Sequence, residues 1–260
     1  LNDQVDKVTA LANGNYVVES RLWDNGTTVD AGAVTFGSGS SGISGVISPA
    51  NSLVGSSAND RVGTLGVITL INGSYVVQTP SWDNGALVDA GAATFGSGSS
   101  GISGVVSPAN SLVGSSANDS VGISGVVALT NGNYVVQSPS WDNGAIADAG
   151  AITLGLSDGS VAGVITNTHS VLGLLPGQGG AQRFAYDALR NQLVVGQPAS
   201  NRVVLQRSGI ATAISIVGDA PDPSIAGQSV TFTATVSASP NAPTNGQVTF
   251  TASSGQSCVD

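Results

Sequence analysis

The chain has 260 residues, a net charge of −9, 36 glycines, no methionine, and only 9% charged residues. So acidic a composition speaks against a nucleic-acid surface, which needs Lys and Arg to displace counterions, and against docking on anionic lipid. Val, Ile, Ala and Leu dominate the apolar set, Ser, Thr and Asn the polar one, and the helix-surface residues Lys and Glu are scarce, which reads as an all-β protein.

The chain opens Leu1-Asn2-Asp3, without an initiator Met or a secretory leader, and is expected to be an internal piece of a longer protein. No stretch reaches the ~18 apolar residues that cross a bilayer, so no membrane insertion is expected within this segment.

A repeat follows at once. Tyr16, Tyr75 and Tyr134 lie 59 residues apart (75 − 16 and 134 − 75), as do Trp23, Trp82 and Trp141. Val29 to Asp60 returns almost unchanged as Val88 to Asp119. The copies are assigned to about 4–62, 63–121 and 122–180, with a partial fourth at 181–209. The first is slightly irregular, Val5 to Asn13 being two residues shorter than Val62 to Asn72.

The middle copy gives the elements. Val67 to Leu70 is a β-branched run. Asn72-Gly73 is a hairpin turn, because both residues tolerate positive φ. Tyr75 to Gln78 is the returning strand. Trp82-Asp83-Asn84-Gly85 makes a second turn and Ala90 to Phe95 a third strand. Gly96 to Gly101 is a loop, Ser111 to Gly114 a short fourth strand, and Asn118-Asp119 a turn into the next copy. Four such strands make one antiparallel sheet of about propeller-blade size, with two faces that only stacked neighbours can bury. The small residues of the Ala-Gly-Ala and Ser-Gly-Val-Val-Ser-Pro-Ala segments suit that packing. The expected architecture is therefore a set of tandem four-stranded antiparallel blades, a partial β-propeller. A parallel β-helix is the alternative, disfavoured by the long repeat and by the Asn72-Gly73 hairpin.

Asn59-Asp60-Arg61-Val62-Gly63, then Asn72-Gly73-Ser74-Tyr75-Val76-Val77, Pro80, Asp83-Asn84-Gly85 and Ala90-Gly91-Ala92 come in an order that resembles the FG-GAP repeat of integrin-like β-propellers. The resemblance covers about residues 1–209 and implies a propeller with calcium loops. Those loops use several carboxylate oxygens. The matching stretches Asn13 to Tyr16, Asn72 to Tyr75 and Asn131 to Tyr134 carry none, so no cofactor is expected there and calcium is left without its usual ligands. The repeat also resembles those of large bacterial surface proteins of the haemagglutinin-like adhesin type, which implies a secreted or cell-surface location.

The fourth copy is decayed. Leu193 to Pro198 falls 59 residues after Tyr134 to Pro139 (193 − 134), and Ser200 stands at the Trp position. Beyond it, Asp222-Pro223-Ser224, Gly227-Gln228-Ser229-Val230-Thr231-Phe232-Thr233 and Gly246-Gln247-Val248-Thr249-Phe250 resemble the start of a bacterial Ig-like domain. Residues 210–260 are accordingly expected to form a truncated Ig-like β-sandwich. In that reading the single cysteine, Cys258, pairs with a cysteine outside this chain; otherwise it is an incidental thiol.

The candidate ligand-binding residues are Trp23, Asp24, Trp82, Asp83, Trp141 and Asp142, an aromatic face flanked by carboxylate and amide that suits carbohydrate. The alternative has Trp covering a blade edge and Asp-Asn-Gly making the turn. Asp30, Asp89 and Asp148, and Asp60 and Asp119, recur as calcium candidates or as turn caps bonding backbone N–H groups. His169 is the only histidine and has no nucleophile elbow for company, so no catalytic residue is assigned. Gly37 to Gly42 and Gly96 to Gly101 lack the Lys and following helix of a phosphate loop. The expected function is a non-enzymatic structural or adhesive module meeting a host or cell-surface glycan or protein. A lectin using the Trp loops is the alternative.

Overall fold

The computed structural model describes residues 3–206 with their side chains, and the backbone of 207, 210–220, 231–239, 249–251 and 257–259. The described residues are all-β, with two short 3-10 turns, Gly179–Ala181 and Pro198–Ser200, as their only helical elements.

The first repeat holds β1 (Lys7–Ala10), β2 (Tyr16–Ser20), β3 (Ala33–Gly37) and β4 (Ser52–Val54). The second holds β5 (Val67–Thr69), β6 (Tyr75–Thr79), β7 (Ala92–Gly96), β8 (Gly104–Val105) and β9 (Ser111–Val113). The third holds β10 (Val126–Ala128), β11 (Tyr134–Ser138), β12 (Ala151–Gly155), β13 (Gly163–Val164) and β14 (Ser170–Leu172).

The Asn72-Gly73 hairpin joins β5 and β6 as expected. Gly73 has φ of 84°, and the Asn72 Oδ1 accepts from Ser74 N at 3.0 Å, a side-chain turn that pre-shapes the reversal. The aromatic that follows, Tyr75, stands opposite Gly96 in the β6–β7 register. The ring lies over that glycine, where an added Cβ would come within 2.2 Å of Tyr75 Cζ.

Each repeat has the expected antiparallel four strands, β5-β6-β7-β9 in the middle copy. In the first two repeats a fifth strand comes from the repeat that follows. β8 pairs in parallel with β4, and β13 in parallel with β9. Neighbouring repeats are thus joined by backbone as well as by side chains.

The sheets stack face to face. Tyr75, Val77, Trp82 and Val106 of the second repeat pack on Val17, Val34 and Leu53 of the first. Its opposite face, with Val76, Ala93 and Leu112, packs on Tyr134, Val136, Trp141 and Ile165 of the third. The period-two alternation of β6 thus sends Tyr75 and Val77 one way and Val76 the other, with both faces dry. Fully burying such a side chain is worth roughly 1.5–3 kcal/mol, which a lone sheet exposed on both faces forgoes.

The next sheet is a meander of β15 (Arg183–Asp187), β16 (Gln192–Gln197), β17 (Arg202–Arg207), β18 (Ile210–Ala220) and β19 (Thr231–Ser239). Its β16 occupies the place read as the decayed fourth copy. Leu193, Val195 and Val204 pack on Val135, Ile152 and Val171 of the third repeat. β17 and β18 pair from Arg202↔Ser215 to Arg207↔Ile210, so hydrogen bonding continues across the expected boundary at 209. β20 (Thr249–Thr251) pairs with β21 (Ser257–Val259), which contains Cys258. The Ig-like signatures at Asp222 to Ser224, Gly227 to Val230 and Gly246 to Val248 lie outside the described residues.

Candidate functional site

The Trp-Asp-Asn-Gly segment leaves the end of β6. Trp82 N donates to Thr79 O at 3.2 Å and Gly91 N to Trp82 O at 2.9 Å, which ties the segment at both ends. Asn84 and Leu87 exchange both backbone bonds, at 3.0 and 3.1 Å, and form a minimal hairpin. Asn84 Nδ2 reaches Gly114 O at 3.1 Å. The equivalent bonds of Asn25 to Gly55 and Asn143 to Gly173 measure 3.3 and 2.9 Å.

The indoles face inward in two of the three copies. Trp82 and Trp141 are 3% and 4% exposed, in the clusters between repeats. Their Nε1 groups have no hydrogen-bond partner among the described residues. Trp23 is half-buried.

The carboxylates beside them hold backbone. Asp24, Asp83 and Asp142 are half-buried. Each accepts through Oδ1 from the N–H six residues on: Asp30 at 2.8 Å, Asp89 at 2.9 Å and Asp148 at 2.8 Å. Those three recipients have φ of 51°, 52° and 49°, a left-handed geometry that a short polar side chain tolerates.

A second carboxylate crosses the junction between repeats. Asp60 is fully buried. Its Oδ2 accepts from Ser56 N and Ser57 N at 2.7 Å each, and its Oδ1 from Asp83 N of the next repeat at 3.0 Å. Asp119 repeats this with Ser115 N, Ser116 N and Asp142 N at 2.7, 2.8 and 2.9 Å. Burial pushes both carboxyls above the usual carboxylate range, and the N–H bonds oppose this only in part. At the next junction Gln178 takes the same place, its Oε1 accepting from Leu174 N and Leu175 N at 3.1 and 3.2 Å. Its Nε2 donates to Ser200 Oγ at 3.0 Å, so the residue read as a lost Trp position is the acceptor that suits an amide. The recurrent Asp residues thus act as turn caps and inter-repeat clips.

Sequence reading missed the role of the hairpin asparagines. Asn13 Nδ2 donates to Gly98 O at 2.6 Å, and Asn72 Nδ2 to Ser157 O at 3.3 Å, each reaching the Gly/Ser loop of the next repeat. The loops read as lacking calcium carboxylates are fastened to the neighbouring repeat instead. The signal was available in the recurrence of Asn at the first turn position.

His169 contributes its carbonyl to Leu154 N at 2.9 Å. An open groove of about 330 Å³ at the first junction is lined by Asp6, Lys7, Glu19, Arg21 and Thr64. Its charges pair with each other, Lys7 with Glu19 at 3.8 Å and Arg21 with Asp6 at 3.5 Å.

Stacked sheets, inward-facing tryptophans and carboxylates spent on backbone N–H groups define a tandem-repeat β protein. The chain belongs to the family described as a repeat of unknown function (DUF5650), which matches residues 10–64, 69–123 and 128–179, more than half its length. Each matched span takes in one hairpin, one Trp loop and the junction residue Asp60, Asp119 or Gln178. The match supports a tandem repeat and gives no support to an FG-GAP or Ig-like identity. No curated protein matches the chain. No helix of the described residues is long and apolar enough to cross a membrane.

Proposed function

We propose that the array is a non-enzymatic structural and adhesive module of a secreted or cell-surface bacterial protein. The observation that carries this reading is the inward placement of the recurrent motif. Trp82 and Trp141 fill the space between repeats, and the Asp beside each of them holds a backbone N–H. A motif consumed by packing repeats because the sheet repeats. In this reading the stack is a stiff spacer or head, and the FG-GAP-like propeller geometry and Ig-like continuation remain its finer form.

A glycan and host-protein array probed with the whole chain tests it, with Trp23→Ala, Trp82→Ala and Trp141→Ala as variants. The module reading expects no glycan signal that depends on the indoles. Glycan binding lost in the Trp23→Ala protein, with its melting unchanged, would establish the lectin reading instead. Surface labelling of intact cells tests the location, and label confined to lysed cells would overturn it.

A further inference from the structure

The two ends of the stack are not alike. At the far end the fourth sheet covers the third repeat. At the near end the first repeat turns an uncovered face outward. We infer that this face is a docking surface for one more repeat of the same kind, joined ahead of Asp3.

The same face differs between repeats of one molecule. In the second and third repeats this face is covered by the repeat before. Val67 is 6% exposed, whereas its counterpart Val8, paired with Val18 as Val67 is with Val77, is 59% exposed. Tyr75, Val77 and Trp82 are buried; their counterparts Tyr16, Val18 and Trp23 are half-exposed. Val106 is buried and Ile47 is half-exposed. Val46 is 86% exposed.

The backbone repeats the contrast. Gly104-Val105 and Gly163-Val164 form β8 and β13 by pairing with the preceding repeat. Val106 N then donates to Val54 O at 3.0 Å, and Ile165 N to Val113 O at 3.2 Å. Gly45 and Val46 carry the same sequence and form no strand. They lack only a partner edge.

Asp3 supplies an independent observation. Its Oδ1 accepts from Asp24 N at 3.0 Å, as Asp60 does from Asp83 N and Asp119 from Asp142 N. Asp3 is therefore the junction residue of the stack's first interface. In Asp60 and Asp119 the other oxygen takes two N–H groups from the Ser-Ser turn of the preceding repeat. A repeat ending ahead of Asp3 would bring that turn to Oδ2. The far end of a second copy does not offer the same free edge to this face. Its last β14-type edge carbonyl, Leu172 O, already accepts from Gln197 Nε2 at 2.8 Å. This inference is independent of where the protein resides and of what it binds.

The test is the whole chain with an extra copy of residues 61–117 fused ahead of Asn2, the tryptophan of the copy changed by Trp82→Phe. Amide exchange and acrylamide quenching are followed in the parent and in the fusion. The expected result is exchange at Ile43 to Ile47 slowed by about tenfold or more, as for an edge segment drawn into a sheet. Trp23 should become as poorly quenched as Trp82, and the unfolding enthalpy should rise. Unchanged exchange at Ile47 alongside a folded added copy would overturn the inference. So would an added copy that stays unfolded, since the face would then template nothing. A parent chain that sediments as a dimer with Ile43 to Ile47 already protected would assign the face to a second copy, and would overturn it too.

Discussion

The side-chain amide of Gln197 donates to the backbone carbonyl of Leu172 at 2.8 Å. In the two earlier repeats the corresponding carbonyls, Val54 O and Val113 O, accept from backbone N–H groups of the next repeat. A side chain therefore imitates the incoming strand and ends its propagation, which is what a terminal capping unit must do.

Replacing Gln197 by Ala removes that donor and leaves the carbonyl without its partner. The expected cost is about 1–3 kcal/mol. It should be read in urea unfolding and in faster amide exchange along β14, with β4 and β9 unaffected.

The Tyr75–Gly96 pair gives a second prediction. An alanine at 96 would put its Cβ within 2.2 Å of the ring. Gly96→Ala should destabilise by about 1–3 kcal/mol, the usual range for overpacking. Tyr75→Val should destabilise on its own, yet the double variant should be more stable than the sum of the two losses. A double-mutant cycle by thermal melting measures this, and strict additivity would show that the ring and the glycine are not coupled.

Asp119 sets a pH dependence. Burial raises its carboxyl above the ordinary range in the folded state, so the folded protein keeps this proton to a higher pH than the unfolded chain does. The stability so gained is complete below the unfolded value and is lost as pH rises through the folded value. Asp119→Asn removes the titration. It also turns an Nδ2 donor toward Asp142 N, costing about 1–3 kcal/mol at neutral pH. The gap between parent and variant should therefore narrow as pH rises from the acid side and level off near neutrality. Urea midpoints of both proteins at stepped pH check the sign. A gap that widens with rising pH would show that the N–H bonds outweigh burial.

The tryptophans should differ in weight. Trp141→Ala empties a buried site between two sheets, with an expected loss of roughly 3–5 kcal/mol. Trp23→Ala, at the half-exposed counterpart, should lose clearly less. Calorimetry of the two variants tests the ranking. Equal losses would mean that Trp23 is also enclosed in solution.

Much of one repeat was legible in the residues. Asn72-Gly73, the alternating strands and the Trp82 to Gly85 turn are local signals, and their recurrence located each copy. β8 was not legible. Gly104 and Val105 carry no strand signal of their own, and their pairing is set by an edge in another repeat. The same holds for Gln178 and Gln197, which read as ordinary polar residues until the carbonyl and N–H groups they meet are placed. Trp82 illustrates the converse. A repeated aromatic beside Asp and Asn reads as a binding platform, and only the preceding sheet shows that its face is covered.

The parallel β4–β8 pair has a consequence for how the molecule comes apart. Because the first and second sheets each take their last strand from the repeat that follows, neither the second nor the third repeat can melt without also fraying the one before it. Loss of order should run in blocks that include a neighbour, so that a stretched molecule yields in steps longer than one repeat. The Asn13 and Asn72 clips and the Asp60 and Asp119 junctions lie on the same boundaries, so they resist the same event. Stiffness along the stack is thus a property of the seams between repeats, and a change at one seam should be felt on both sides of it.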